Sequence, residues 1–558
     1  MARPSALSVS PMKTRLCSAL VLALFASTLP ASPPVKATPQ LDPTTVGASS
    51  HVSFGGVQYV NHGLVGVGVV PANARDGRGD TLGSFSSFKV DPATWRRNAD
   101  GSFAGTLYVL PDRGYNVAGL VDYAARLQKF ELVFTPDYGR KPVPPTQLSL
   151  AFKGTTPFTD FDGHLTTGLD PTSDTLGGRS PVPAHKGKLT VDAEGLALRR
   201  DGTFYVSEEY GCTIYHLDPS GKMLGLITPV PALLPKFTEA SGFKGFTTDH
   251  GAKQAEVGGR RANQGLEGLD ITPDGRYLVA MLQSATIQDT IGDKDFNRAY
   301  ARLFVYDISQ EATPAKPIEH YLVELPVVDG KGAGGPPDKT AAQSELVALS
   351  KDTFLVLARD SNGNGSGRAD YHAGATKNGF ANHPHTYKNV TLVSTVGATN
   401  LAGTKYETSY APAVQGDVLA ARPLRLAPVA GIVPARTTDF VNLLNVGQLA
   451  RFGLNLNVLG ASGAAAAKAA GHDVKGMDEN SLSEKWEALT LVPCLDEAHP
   501  DDFFLLVGND NDFITHDGMM VGKAYDGIIT KPGAETVENH NRILVYRLTL
   551  PGYAARRR

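Results

Sequence analysis

Short apolar runs separated by turns recur along the chain, and four of them begin with a glutamate. The glutamates are Glu194, Glu267, Glu345 and Glu487, which open runs such as AEGLAL and LEGLDI. A turn and a second apolar run follow each of them, for example FYVSEE after the first and FLVLAR after the third. Apolar runs of this length, bounded by turn residues, predict buried β-strands joined as hairpins.

The spacing of these hairpins predicts the fold class. The first three glutamates are almost equally spaced, and the last interval is close to twice as long. Asp201-Gly202 and Asp274-Gly275 supply turns of the kind that hairpins prefer. Repeated antiparallel units predict an all-β chain forming a β-propeller of five to seven blades, with six expected. A β-sandwich is the alternative, because it also consists of such hairpins.

Domain organisation follows from the rest of the pattern. Residues 50–550 are expected to form a single domain, with a helical insertion at about 437–472, where apolar residues recur at intervals of three and four. An N-terminal strand near residues 57–60 is expected to pair with the last unit, because a closed ring leaves no exposed strand edge. Residues 1–37 have the basic start and apolar run of a secretory signal peptide, with a mitochondrial presequence as the alternative.

Composition limits the possible partners. The formal net charge of −3 lacks the basic excess typical of nucleic-acid binding. No second long apolar run follows the N-terminal one, so we expect a secreted protein that binds no membrane and no nucleic acid. Cys212 and Cys494 remain after removal of the signal, and a disulfide between them and two free thiols are both possible. Because they lie in different units, we predict that they are not bonded to each other.

Polar residues are predicted to meet at one end of the repeated units. The start of a first strand and the end of a second, antiparallel strand lie at the same end of a hairpin. Second strands end at Glu208-Glu209, Gln283, Arg359-Asp360 and Asn509-Asp510, and Asp112-Arg113 occupies this place in an earlier unit without the glutamate. We therefore expect these groups and the four glutamates to converge at one mouth of a central channel.

Converging carboxylates predict a cation, because they repel one another without one. Ligands that are all oxygen favour Ca²⁺ or Mg²⁺ over zinc, and calcium is the suspected ion. The segment DSNGNG from Asp360 also matches the first half of a calcium-binding loop. Alternatively, the glutamates hydrogen-bond the backbone of neighbouring units, or Arg113 and Arg359 neutralise them. The predicted metal ligands are Glu194, Glu267, Glu345, Glu487, Asp112 and Asp360.

The motifs VLPDRGYN, ARDSNGNG and LSEKWEALTLVP with FFLLVGNDNDF, together with the EGL units, resemble the phytase-like family, "esterase-like activity of phytase". The resemblance covers roughly residues 55–550 and implies a secreted or periplasmic β-propeller, for which phosphoric-ester hydrolase activity has been proposed. Asn364 and Asn389 begin N-glycosylation sequons, which predict a glycoprotein.

These observations lead to three candidate functions. The first is calcium-dependent hydrolysis of a small phosphate ester, in which Arg113 and Arg359 clamp the phosphate and Glu209 or Asp510 acts as general base. The second is a propeller-type lactonase or carboxyl esterase, in which a metal polarises a carbonyl group. The third is a non-catalytic propeller that binds a ligand or partner, because one fold hosts many functions.

Overall fold

Strands dominate the computed structural model. It describes residues 51–115, 121–139, 147–236, 257–290, 297–330, 335–365, 385–416, 426–456, 479–528 and 537–553, so the predicted signal peptide lies outside the described residues. All of these belong to one compact unit, Pro39–Arg558. The described helices are short: Pro231–Leu233, Ile287–Asp289, Lys405–Thr408 and Val446–Arg451. None of them is long and apolar enough to cross a membrane.

The strands are numbered along the chain. In order, they are β1 (His51–Phe54), β2 (Val57–Val70), β3 (Ser87–Val90), β4 (Arg96–Arg97), β5 (Phe103–Leu110), β6 (Arg126–Phe134), β7 (Leu148–Pro157), β8 (Ala184–His185), β9 (Lys188–Leu189), β10 (Ala193–Leu198), β11 (Phe204–Glu208), β12 (Ile214–Leu217), β13 (Met223–Ile227), β14 (Leu266–Ile271) and β15 (Tyr277–Leu282). They continue with β16 (Tyr300–Asp307), β17 (Glu319–Glu324), β18 (Val327–Val328), β19 (Lys339–Thr340), β20 (Ala342–Ala348), β21 (Thr353–Arg359), β22 (Lys388–Ser394), β23 (Val414–Gln415), β24 (Ala427–Pro428), β25 (Arg436–Asn442), β26 (Lys485–Pro493), β27 (Asp502–Asp510), β28 (Gly518–Met520), β29 (Lys523–Tyr525) and β30 (Asn541–Thr549).

Twenty of these strands form five antiparallel groups of four. Sheet 1 is β3-β5-β6-β7, sheet 2 is β10-β11-β12-β13, sheet 3 is β14-β15-β16-β17, and sheet 4 is β20-β21-β22-β25. Sheet 5 is β26-β27-β30-β2, so the N-terminal strand completes the last sheet, as predicted. Sheets 1 and 5 are also linked by one parallel pair, Gly68 with Leu148.

The first strands of the five sheets, here called inner strands, lie beside one another. They contact each other in the order β3, β10, β14, β20 and β26, and β26 also contacts β3. A separate hydrophobic cluster fills the space between each pair of neighbouring sheets. Strands such as β11 are therefore covered on both faces, which explains their unbroken apolar runs.

Three inner strands carry a β-bulge at their glutamate. Glu194 with Gly195, Glu267 and Glu487 are the residues left unpaired where the registers shift. In β20 the unpaired residue is Ser344, and Glu345 pairs with Leu357. Glu345 therefore lies one position beyond the place that the other three glutamates occupy. Because a bulge redirects side chains, this offset gives Glu345 a different environment.

The region predicted as a helical insertion differs from the expectation. Its first residues form β25, which pairs with β22, and helix occupies only Val446–Arg451 among the described residues. Phe440 and Val441 are buried in the core between sheets 4 and 5, so tertiary packing overrides the helical spacing. Residues 457–478 lie outside the described residues. Cys212 and Cys494 are buried free thiols, which confirms that they are not bonded to each other.

Candidate metal centre

Polar groups converge where the inner strands begin and the second strands end. The cluster, here called the acidic mouth, contains eight described carboxylates and three cations that interact electrostatically. Its members are Asp112, Asp192, Glu194, Glu209, Glu267, Glu487, Asp510, Asp512, Arg113, Arg359 and Lys485. The excess of negative charge in a largely buried place requires bound protons or cations.

One part of the acidic mouth, the Glu194 group, has the geometry of a cation site. Oxygens of Asp192, Glu194 and Glu209 lie within 4.8 Å of one another, and all three residues are buried. Asp192 and Glu194 flank the start of β10, and Glu209 follows β11 directly. The Arg113 guanidinium lies 3.1 Å from Asp192, which leaves the group with a net negative charge when all three carboxylates are ionised.

Glu267 adds an unpaired carboxylate oxygen beside this group. Its Oε1 accepts a hydrogen bond from Gln283, but its Oε2 is buried without a partner among the described residues. The residue is only 3% exposed. Burial, and then Glu209 and Glu487, raise the pKa of Glu267 well above its usual range. A buried oxygen of this kind is costly unless something binds it.

A second part, the Asp510 group, contains a lysine as its cation. Oxygens of Asp112, Asp510 and Asp512 lie within 4.8 Å of one another. Lys485 Nζ lies 2.6 Å from Asp512 Oδ1 and 3.3 Å from Asp510 Oδ2. Asp510 also shares a hydrogen bond with Glu487, which pairs with Arg359. This group is therefore partly neutralised from within the chain.

Burial favours the protonated form of several of these carboxyls. It raises the pKa of Glu209 to about 8 and the pKa of Asp510 to about 6. Burial also raises the pKa of Glu194 well above its usual range, and Glu267 and Glu209 add to this shift. A divalent cation fits the Glu194 group, because its ligands are oxygens and because a cation would favour their ionised form.

Glu345, predicted as a metal ligand, does not join the acidic mouth. Its Oε1 accepts hydrogen bonds from the backbone N–H of Leu269, at 3.0 Å, and of Leu346, at 2.9 Å. Its Oε2 accepts a hydrogen bond from Ser87, and the Lys89 ammonium lies 3.8 Å away. Glu345 therefore connects inner strands, in agreement with the alternative that the glutamates hydrogen-bond the backbone of neighbouring units. Burial raises the pKa of Glu345 to about 7.

Asp360 also lies apart from the acidic mouth, although sequence reasoning placed it in a calcium loop. The Lys388 ammonium lies 2.6 Å from Asp360, and the backbone N–H groups of Asn362 and Tyr387 donate to it at 3.1 and 2.8 Å. These contacts hold both oxygens. The sequon residues Asn364 and Asn389 are buried, so neither side chain is open to a glycan in this structure.

Sequence reasoning missed three members of the acidic mouth. Asp192, Asp512 and Lys485 each lie two residues from a predicted residue, in the segments VDAEGL, NDNDF and KWEAL. All three lie at strand ends, where polar groups are expected, but the residue that recurs in the repeated units is the glutamate.

Arg113 and Arg359, predicted to clamp phosphate, pair with Asp192 and Glu487 in this structure. Glu209 and Asp510, the predicted bases, lie in the two carboxylate groups.

Comparison with known proteins agrees with these motifs. A family model, "Phytase-like: Esterase-like activity of phytase", matches residues 80–513. A protein of Arthroderma benhamiae named "Uncharacterized secreted protein" is 31% identical over 509 residues, covering 85% of this chain and 91% of its own length.

Solved structures give weaker matches. The Malassezia sympodialis allergen Mala s 1 covers 88% of this chain and 89% of its own at 10% identity, with a TM-score of 0.25. A mutant of the GH43 protein BlXynB from Bacillus licheniformis covers 58% and 43% at 12% identity, with a TM-score of 0.21. At these TM-scores neither structure informs the fold. The family model, by contrast, spans most of the chain, which therefore belongs to the phytase-like family.

Proposed function

We propose that this protein is a secreted hydrolase of phosphoric esters that depends on a divalent metal, with calcium as the first candidate, at the acidic mouth. The observation that carries the proposal is the buried, unpaired Oε2 of Glu267 beside the three carboxylates of the Glu194 group. Membership of the phytase-like family supports ester hydrolysis. The apolar N-terminal segment and the secreted relative support export.

We also propose that the five sheets are the blades of a propeller, one fewer than the six expected. The contacts between successive inner strands, and the hydrophobic cluster between each pair of neighbouring sheets, support this arrangement. The pairing of β2 with β30 supports closure by strands from both ends of the chain. The acidic mouth would then open at one end of the central channel.

In this proposal Asp192, Glu194 and Glu209 hold the cation, and Glu267 contributes its unpaired oxygen. A bound divalent cation supplies Lewis-acid chemistry, which polarises a phosphoryl oxygen and lowers the pKa of water. Glu487, also predicted as a ligand, is held by Arg359 and shares a hydrogen bond with Asp510. The Asp510–Glu487 pair is therefore the better group to accept or hold a proton at the reacting oxygen.

The charge of the acidic mouth imposes an order of binding. At a pH where the carboxyls are ionised, eight carboxylates and three cations would repel a phosphate dianion before a metal binds. Hydrolysis should therefore require the cation first, with phosphate esters binding only to the loaded protein.

Hydrolysis of a lactone or carboxyl ester is the second candidate. The pairing of Arg113 with Asp192, and of Arg359 with Glu487, favours it, because both guanidinium groups are already neutralised. A neutral substrate needs no free arginine.

The test is a panel of aryl phosphates, aryl carboxylic esters and lactones, assayed with chelated protein and after addition of Ca²⁺ or Mg²⁺. We expect phosphate ester hydrolysis only with added cation. Preference for the carboxylic esters or lactones would favour the second candidate. Cation binding without turnover of any substrate would identify a non-catalytic binding protein.

Variants separate the roles of the residues. Asp510→Asn should lower kcat by about 10²–10⁴-fold, the contribution typical of a positioned acid–base group. Glu194→Gln should instead raise the calcium concentration needed for activity. Glu131→Gln, whose side chain is half exposed on β6, is the control and should change neither. Equal activity of all three variants and the parent protein would contradict the site.

A further inference from the structure

Lys485 is the amine that lies within the Asp510 group. It begins β26, two residues before Glu487. Its Nζ lies 2.6 Å from Asp512 Oδ1 and 3.3 Å from Asp510 Oδ2, and it also interacts electrostatically with Asp112 and Glu487. Asp510 is buried, whereas the Lys485 and Asp512 side chains are 28% and 32% exposed, so the contact lies at the boundary between the protein interior and solvent.

We propose that Lys485 is a built-in cation that occupies a second oxygen cluster and so keeps a divalent ion out of it. An ammonium group is a compact single charge with three donors, and here it contacts Asp510 and Asp512 and interacts electrostatically with Asp112. The ligand class for the cluster, once the ammonium is removed, is a hard divalent cation such as Ca²⁺.

The Glu194 group provides the contrast. Both groups contain three carboxylates whose oxygens lie within 4.8 Å of one another. In the Glu194 group Arg113 pairs with one carboxylate, Asp192, and Lys485 interacts electrostatically with Asp192 and Glu209. In the Asp510 group the lysine contacts two of the three carboxylates. The two groups are therefore alike in ligands and differ in the resident positive charge.

This difference predicts a change in cation number. Without Lys485, three neighbouring carboxylates would lose the ammonium that neutralises them, and a divalent cation would relieve the repulsion. The inference concerns the acidic mouth that the proposed function uses, but it does not depend on hydrolysis.

The experiment is calorimetric titration of chelated protein with Ca²⁺. We expect Lys485→Met to bind one more Ca²⁺ than the parent protein, and Lys485→Met combined with Asp512→Asn to lose the additional ion. Lys153→Met is the control, because Lys153 forms a half-exposed ion pair with Glu131 on sheet 1. This variant should bind the same number of Ca²⁺ ions as the parent protein.

An unchanged stoichiometry in Lys485→Met would overturn the proposal. If this variant is unfolded in chelator by circular dichroism, folding on addition of Ca²⁺ supports the proposal, and failure to fold with Ca²⁺ overturns it. One ion bound by Lys485→Met and none by the parent protein would support this inference while removing the metal centre of the proposed function.

Discussion

At the scale of single residues, two glutamates at the same place in the sequence repeat have opposite environments. Glu267 lies in a bulge and keeps a buried oxygen without a described partner. Glu345 lies one position beyond its bulge, and both its oxygens accept hydrogen bonds. The repeated residue type therefore serves two purposes, a candidate ligand in one sheet and a connection between strands in another.

This contrast leads to paired substitutions. Glu267→Gln should raise the melting temperature of chelated protein at about pH 8 and above and reduce the rise that calcium produces, because the amide stays neutral where burial disfavours the ionised carboxyl. Glu345→Gln should lower stability by about 1–3 kcal/mol, the cost of leaving buried partners unsatisfied. Its calcium-induced rise should stay as in the parent protein. Thermal melting with EDTA and with Ca²⁺ measures both effects, and identical behaviour of the two variants would contradict the assignment.

At the scale of elements, the bulges depend on close approach between inner strands. A Cβ added at Gly195 would lie 2.4 Å from the backbone oxygen of Glu267 and 2.5 Å from the Cβ of Leu269. The inner strands of sheets 2 and 3 therefore come together at a position that only glycine fits. The glycine after Glu194 is explained by this contact, since it leaves room for the neighbouring strand.

Gly195→Ala should accordingly destabilise the protein by about 1–3 kcal/mol, as overpacking of a close contact does. Gly154→Ala in β7 is the matched control, because nothing lies within 4 Å of the added Cβ. Chemical denaturation of both variants gives the comparison. Equal changes in stability would contradict the close contact, because reduced flexibility of the unfolded chain affects both positions alike and stabilises the protein.

At the scale of the whole molecule, buried carboxyls couple folding to pH. Burial raises the pKa of Asp510 to about 6, of Glu208 and Glu345 to about 7, and of Glu209 to about 8. A carboxyl with a raised pKa binds its proton more tightly in the folded state. Its stabilising contribution is complete below the unfolded pKa and is lost as pH rises through the folded pKa.

Above about pH 6.5, where the buried neutral histidines His320 and His385 no longer add to the pH dependence, the melting temperature of chelated protein should therefore fall as pH rises to about 8. The rise produced by calcium should grow over the same interval, because metal ligands bind in their ionised form. Scanning calorimetry at several pH values, with EDTA or Ca²⁺, measures both trends. A calcium effect independent of pH would argue against binding by these carboxyls.

The pairing of β2 with β30 makes a second prediction for the whole molecule. These strands pair from Val60 with Thr549 to Val70 with Asn541. A chain that starts at residue 51 should fold, whereas one that starts at residue 72 should aggregate, because it exposes β30 as an unpaired edge. Size-exclusion chromatography of both chains tests this, and a monomeric, folded shorter chain would contradict it.

The sequence by itself determined the strands, the hairpin turns and the end at which the polar groups meet. Gly202 and Gly275 have the positive φ that the predicted Asp-Gly turns require. Hairpin geometry alone places the start of each first strand beside the end of its paired strand, as for Glu487 and Asp510. Local patterns suffice for these features, whereas the approach of Glu194, Glu267 and Glu487 to one another depends on how the sheets are arranged.

Only the tertiary structure decided which carboxylates lack a partner in the chain and are available to bind a cation. The bulge in β20 falls at Ser344, one residue earlier than the repeat implied, so Glu345 hydrogen-bonds to neighbouring inner strands. Asp360 is held by Lys388, a residue of the next strand of its sheet. Arg359 and Glu487 pair across two sheets. Partners distant in sequence decide whether a buried charge is satisfied, and neither residue type nor spacing reveals them.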